Sequence, residues 1–196
     1  MKPYLKICTL NILISALCTA GYSQSLYFGF GGSLIDMKSS YSAIPNVNHS
    51  AYSFCFGGGI YRTWWFDFSA TIVERISTDT TENIYYPQDK AEFGLISVSL
   101  RKDLIFDERT DHVFIPWIAA GYAIQDVRWE YYFYNVTSTG YSLSAGFDIL
   151  LKYGFKLDFF YQYQKVEGYD TYEYGPYSFS SDEFGMKIFY QLDFYE

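Results

Sequence analysis

The stretch Asp182–Phe194, DEFGMKIFYQLDF, decides the fold. Taken alternately, Phe184, Met186, Ile188, Tyr190, Leu192 and Phe194 point one way, and Gly185, Lys187, Phe189, Gln191 and Asp193 the other. A strand has a period of two, so one face is wholly apolar and the opposite face mostly polar. The apolar face carries no charge over roughly the 9–11 residues that a tilted strand needs to cross a bilayer core. The segment reads as the last strand of a transmembrane β-barrel, closing onto the first.

The same two-faced pattern recurs upstream, giving eight candidate strands over 25–36, 52–62, 64–73, 93–101, 113–125, 141–150, 155–164 and 182–194. In the first, Leu26, Phe28, Phe30 and Leu34 face out while Tyr27, Gly29, Gly31 and Ser33 face in. The second sets Tyr52, Phe54 and Phe56 against Ser53, Cys55 and Gly57. The sixth sets Leu143, Ala145 and Phe147 against Ser144, Gly146 and Asp148. Polar loops are expected at Met37–Ala51, Glu74–Ala91, Asp126–Gly140 and Lys165–Ser181, alternating with shorter connections. That alternation suits an outer-membrane barrel, with short periplasmic turns and long outer loops. Pro116 falls near the start of the fifth strand; it cannot donate to the ladder, which predicts a bulge or a strand end there.

The composition agrees. The 196 residues are enough for one domain, and they include 22 Tyr and 18 Phe with only 18% charged residues. Mean hydropathy is −0.06, too low for a bundle of membrane helices. A barrel needs only every second strand residue to be apolar. At the N-terminus, Lys2 and Lys6 precede an apolar run from Ile7 to Leu17 and then small residues. Residues 1–23 read as a cleaved secretory signal peptide, leaving a barrel domain over 24–196. Its removal takes two lysines and no acid, moving the net charge from −8 to −10. Such a balance argues against nucleic acid as a partner. Cys55 is then the one remaining cysteine, so no intrachain disulfide can form.

A soluble eight-stranded barrel would reverse the faces, apolar within and charged without. Here the bulky apolar set is free of charge, and the opposite set is rich in Gly, Ser, Ala and Gln, as a narrow lumen requires. Trp64, Trp65, Phe114, Trp117, Tyr153, Phe155, Phe194 and Tyr195 crowd strand ends, where an interfacial girdle sits. On these features the chain resembles the OmpA/OmpX-type outer-membrane β-barrel family of Gram-negative bacteria, over all of 24–196. The last strand also resembles that family's assembly signal, polar–x–Gly–x–x–apolar–x–apolar, through Glu183, Gly185, Ile188 and Tyr190. The resemblance implies an up-and-down barrel in the outer membrane, inserted by the barrel-assembly machinery among lipid and lipopolysaccharide. The ending Phe194-Tyr195-Glu196 departs from the family, which usually stops on the aromatic.

Inward charges are the first candidate site. Asp67, Arg101, Asp148, Lys156, Asp158, Lys187 and Asp193 are expected to pair and plug the lumen. Asp148 and Lys156 should face each other beside the tight turn Leu151–Gly154. An acyl-transfer site would need a nucleophile, a base and an orienter, for which the candidates are His49, Ser77 and Asp79. Trp129, Tyr131, Tyr132, Tyr134, Tyr172, Tyr174 and Tyr177 lie in outer loops and offer rigid contact area for a protein or glycan. Glu167, Asp170, Glu173, Asp182 and Glu183 are candidates to bridge Ca²⁺ to lipopolysaccharide phosphates. No pattern for a zinc site, a phosphate loop or a dinucleotide fold is present, and no cofactor is expected. The sequence thus favours a non-enzymatic barrel of envelope structure or surface recognition. A lipid A-modifying acyl hydrolase or acyltransferase and a small-solute channel are the alternatives.

Overall fold

The structure is a computed structural model and describes residues 25–40, 47–61, 63–78, 89–105, 113–129, 135–170 and 175–193. The expected signal peptide lies outside them. The described chain is all β apart from a one-turn 3₁₀ segment, Lys152–Gly154. The strands are β1 Ser25–Ser39, β2 Val47–Tyr61, β3 Trp64–Thr78, β4 Asp89–Asp103, β5 Phe114–Trp129, β6 Asn135–Leu150, β7 Phe155–Asp170 and β8 Gly175–Asp193. Each pairs antiparallel with its neighbour in sequence, and β8 returns to β1 to close an eight-stranded up-and-down barrel.

The outward faces of the membrane section are as the alternation predicts. Phe28, Phe30, Leu34, Tyr52, Phe54, Leu143, Phe184 and Met186 are all exposed on the wall. Large inward rings are accommodated by glycines opposite them. Tyr27 is the register partner of Gly57 and Trp117 that of Gly146. A Cβ on Gly57 would lie 2.5 Å from the Tyr27 ring, and one on Gly146 2.8 Å from Trp117, so only glycine fits either position. The β6–β7 turn is tight, as expected, with Tyr153 and Gly154 both at positive φ, 64° and 80°.

The strands are longer than predicted, and the loops correspondingly shorter. β1 runs on to Ser39, β2 starts at Val47, β3 reaches Thr78 and β4 starts at Asp89. β5 reaches Trp129, β6 starts at Asn135, β7 reaches Asp170 and β8 starts at Gly175. All eight gain at the same end of the barrel, and the reason is a reversal of polarity. Beyond the apolar belt the outward residues become Asp36, Lys38, Asn48, Ser50, Glu92, Asp126, Thr137, Lys165, Glu167 and Asp182. Over the same levels the lumen becomes mainly apolar, with Gln125, Ser138, Gln164 and Ser181 as its buried polar members. Ile35, Met37, Ala51, Val73, Phe93, Leu95, Ala123, Val127, Val166 and Phe179 form one buried cluster. This rim has a largely apolar core and a polar outer wall, which is how a barrel in water is built.

Pro116 causes no bulge: β5 and β6 stay in register through Pro116↔Phe147. It stands one residue beyond the last β4–β5 pair, Asp103↔Trp117, where a missing N–H costs that ladder nothing. The register shifts lie elsewhere, between Gly59 and Tyr61 and between Val73 and Ile76.

The reversal sets a testable depth profile. Phe30→Arg, on the lipid-facing wall, should destabilise the barrel in bilayers by about 2–4 kcal/mol, and Ser50→Arg, on the polar rim, by about 1 kcal/mol or less. Equilibrium denaturant unfolding of bilayer-inserted protein measures both.

Candidate functional site: the lumen and the outer rim

The lower lumen is built around Arg101. It lies on β4 with its side chain 4% exposed, and strand parity places Asp103 on the same face two residues on. Arg101 Nε donates to Asp103 Oδ1 at 2.9 Å, and its Nη2 donates to Asp148 Oδ2. The guanidinium also lies over the Trp117 ring, 4.5 Å from the centroid. Lys156 Nζ is 3.8 Å from Asp148 Oδ2 and 5.0 Å from the centre of the Trp65 ring. Two indoles tie off remaining carboxylate oxygens: Trp65 Nε1 donates to Asp103 Oδ2 and Trp117 Nε1 to Asp158 Oδ1, each at 2.8 Å. The Tyr27 hydroxyl donates to Asp67. A buried ion pair holds only when its other lone pairs and protons are also met, and this cluster meets most of them.

Asp148 faces Asp158 directly in register and reaches Lys156 diagonally. Lys187 is the register partner of Asp158, yet its ammonium sits 3.9 Å from the centre of the Phe160 ring. Among the described residues, Asp67, Asp158, Lys187 and Asp193 have no ion-pair partner within 4.0 Å. Asp193 lies at the exposed lower end and accepts from Gln191 Nε2 at 2.6 Å.

Above this cluster comes a polar layer. Glu183 is buried there and accepts from Ser33 Oγ at 2.7 Å and Thr71 Oγ1 at 3.3 Å. It therefore faces the lumen and not the surface, which removes it from the acids proposed to bridge Ca²⁺. A cavity of about 30 Å³ lies between Cys55, Ser69, Ser97, Ser144, Gln162 and Lys187, room for about two waters. Cys55 itself is a buried free thiol. Over the polar layer sits the apolar plug of the rim.

Asp103, Trp65 and Glu183 belong to the lumen cluster, although the sequence reading assigned none of them to it. Continuing the alternation of β4 past Arg101 would have found Asp103, and that of β8 before Gly185 would have found Glu183. Continuing the alternation of β3 back from Asp67 would have found Trp65, and the β3–β4 register then brings its indole beside Arg101 and Asp103.

The other sequence candidates are scattered. His49 shares the inward face with Ile35, its register partner at the rim, and its Nδ1 lies 3.1 Å from the Ser50 carbonyl oxygen. Ser77 falls on β3, where only its backbone is described, and Asp79 lies outside the described residues. Trp129 and Tyr177 are on β5 and β8; Tyr131, Tyr132, Tyr134, Tyr172 and Tyr174, with Glu173, lie outside the described residues. In the last strand, Gly185, Ile188 and Tyr190 pair with Ser33, Phe30 and Phe28 across the closing seam.

Closed topology, lipid-facing wall and plugged polar lumen define the class: a small eight-stranded outer-membrane-type β-barrel. Solved structures of that class share its fold. Neisserial surface protein A is similar at 15% identity and a TM-score of 0.60, over 84% of this chain and 96% of that one. Ail, the attachment invasion locus protein of Yersinia pestis, solved with the heparin analogue sucrose octasulfate, is similar at 12% identity and 0.57, over 86% and 98%. The outer-membrane protein OprG of Pseudomonas aeruginosa is similar at 10% identity and 0.57, over 88% and 97%. These neighbours agree with the OmpA/OmpX-type resemblance, and at such identities the likeness is one of fold. No protein-family model and no curated protein sequence matches the chain.

Truncating the central cation tests the cluster. Arg101→Ala leaves Asp103 and Asp148 buried without their partner and should cost about 3–5 kcal/mol of unfolding free energy. Asp193→Asn, at the exposed end, should cost well under 1 kcal/mol in the same denaturant titration.

Proposed function

We propose that this protein is a non-enzymatic outer-membrane barrel that holds surface segments clear of the lipid, acting in envelope structure or surface recognition. In this reading the short turns and both chain ends face the periplasm, and the polar-walled rim faces outside. The observation that carries it is the reversal of polarity at the rim. A barrel that served only to span the bilayer could stop at the edge of its apolar belt. This one continues all eight strands outward as a water-adapted stalk with its own apolar core. The segments between its strand ends are rich in tyrosine, including Tyr131, Tyr132, Tyr134, Tyr172 and Tyr174. Tyrosine gives broad contact area at small entropic cost, which suits a protein or glycan partner.

The lumen supports the same reading over a solute channel. A channel needs a continuous wet path, and here an ion cluster and an apolar plug lie in series along the axis. An acyl-transfer enzyme needs a base with an orienter, and the one described contact of the His49 ring is a backbone carbonyl.

Two measurements test the proposal. Replacing residues 130–134 and 171–174 with Gly/Ser linkers should leave barrel assembly intact and abolish adhesion of expressing cells to host-matrix or glycan arrays. Lipid A from cells with and without the protein should give identical mass profiles; an acyl chain gained or lost would replace the display reading with the enzyme.

A further inference from the structure

On the outer wall, at the boundary between the apolar belt and the polar rim, the strands β5–β8 carry a patch that β1–β4 lack. Tyr122 and Tyr141 are register partners, and Tyr141 is in turn the partner of Lys165. The Tyr141 and Tyr163 rings lie 6.3 Å apart. Tyr163 is the partner of Asp182, which accepts the Tyr161 hydroxyl. Tyr122, Tyr141 and Tyr161 are exposed at 51%, 46% and 45%. Among the described residues, the ion-pair partner of Lys165 is Glu167, 3.7 Å away and itself 72% exposed, a contact easily exchanged for another anion. On the opposite wall the same boundary offers one tyrosine, Tyr52, between Gly32 and Ile72 in register.

We propose that this patch binds the headgroup of an outer-leaflet glycolipid, a phosphorylated amino sugar whose acyl chains run down the wall below. The level is that of headgroups, because the outward residues change from apolar to polar there on every strand whose outward face is described. Exposed phenol rings stack on the C–H faces of sugars, and their hydroxyls meet sugar hydroxyls. Lys165 supplies the charge for a phosphate, and Asp182 an acceptor for an amino-sugar N–H or O–H. Below the patch, Leu143, Phe184 and Met186 are exposed and apolar, as acyl chains require. A plain interfacial girdle would place tyrosine evenly around the barrel, whereas here Tyr122, Tyr141, Tyr161 and Tyr163 crowd β5–β7 against the single Tyr52 on the opposite wall. The proposal rests on the orientation given above only for which leaflet supplies the lipid.

Native mass spectrometry of the barrel in detergent, with lipid A or phosphatidylglycerol added at equal concentration, tests the site without reference to orientation or to surface display. Wild type should retain lipid A about tenfold better than phosphatidylglycerol. The double variant Tyr141→Ser/Tyr163→Ser and the single variant Lys165→Gln should each lose most of that preference, and Tyr52→Ser should keep it. Lys165 is half-buried on the outer wall and points away from the core, so its substitution by Gln folds and keeps the test decisive if the tyrosine pair does not. Equal retention of the two lipids by wild type, or undiminished lipid A binding by Lys165→Gln, would overturn the proposal. So would equally tight binding of the deacylated disaccharide phosphate, which would make the partner a soluble glycan.

Discussion

Everything in this molecule follows from the backbone hydrogen bonds that lipid will not accept. Within hydrocarbon, each unpaired N–H or C=O costs several kcal/mol, so a sheet can span only if its first and last strands meet. Here they meet along the whole of β1, from Ser25↔Asp193 to Ser39↔Phe179. The seam is tight because glycine stands on its inner face: a Cβ on Gly31 would lie 2.1 Å from the Met186 carbonyl oxygen. Closing the sheet with eight strands makes the interior narrow, and a narrow interior must be filled. The ion cluster, the hydroxyl layer and the apolar plug are three ways of filling it at successive heights.

The three fillings answer to different surroundings. In the lower lumen, carboxylates and cations are shut off from bulk water, so they are held by one another and by indole N–H groups. The arrangement around Arg101 combines two carboxylates, an aromatic face and two tryptophan donors within one layer. At the rim the wall outside is polar, and the inside is filled mainly by apolar side chains, with Gln125 Nε2 donating to Met37 Sδ among them. Phe93, Phe179 and Leu95 fill it without any side-chain polar atom to satisfy.

The membrane section was legible in the sequence because lipid imposes one rule on every strand. Phe28, Phe30 and Leu34, or Phe184, Met186 and Ile188, announce their facing by alternation alone. The upper strand ends were hidden by the same rule. At Ile35-Asp36-Met37 the alternation continues but its polarity reverses, and a search for outward apolar residues reads the reversal as the end of the strand. In the lumen, the charged residues could be recognised but not their partners. Asp148 and Lys156 flank the turn, which suggested a facing pair, whereas register sets Asp148 against Asp158 and leaves Lys156 on the diagonal. A diagonal contact depends on the rotamer of a long side chain, and alternation carries no information about rotamers.

The belt between the lower aromatics and the rim charges has consequences for which membrane the barrel can occupy. Its upper edge is a ring of groups such as Asp36, Glu92, Asp126 and Lys165, and its lower edge carries Trp64 and Lys102, whose ammonium lies 4.8 Å from the centre of that indole. A helix that is too long for its bilayer can tilt at small cost. A closed barrel with its strands already inclined cannot change its height that way, so the lipid must adjust to it. The spacing of the two edges therefore works as a gauge of membrane thickness. A bilayer whose hydrocarbon matches that spacing accepts the folded wall without deforming, and a thicker or a thinner one must bend to meet it.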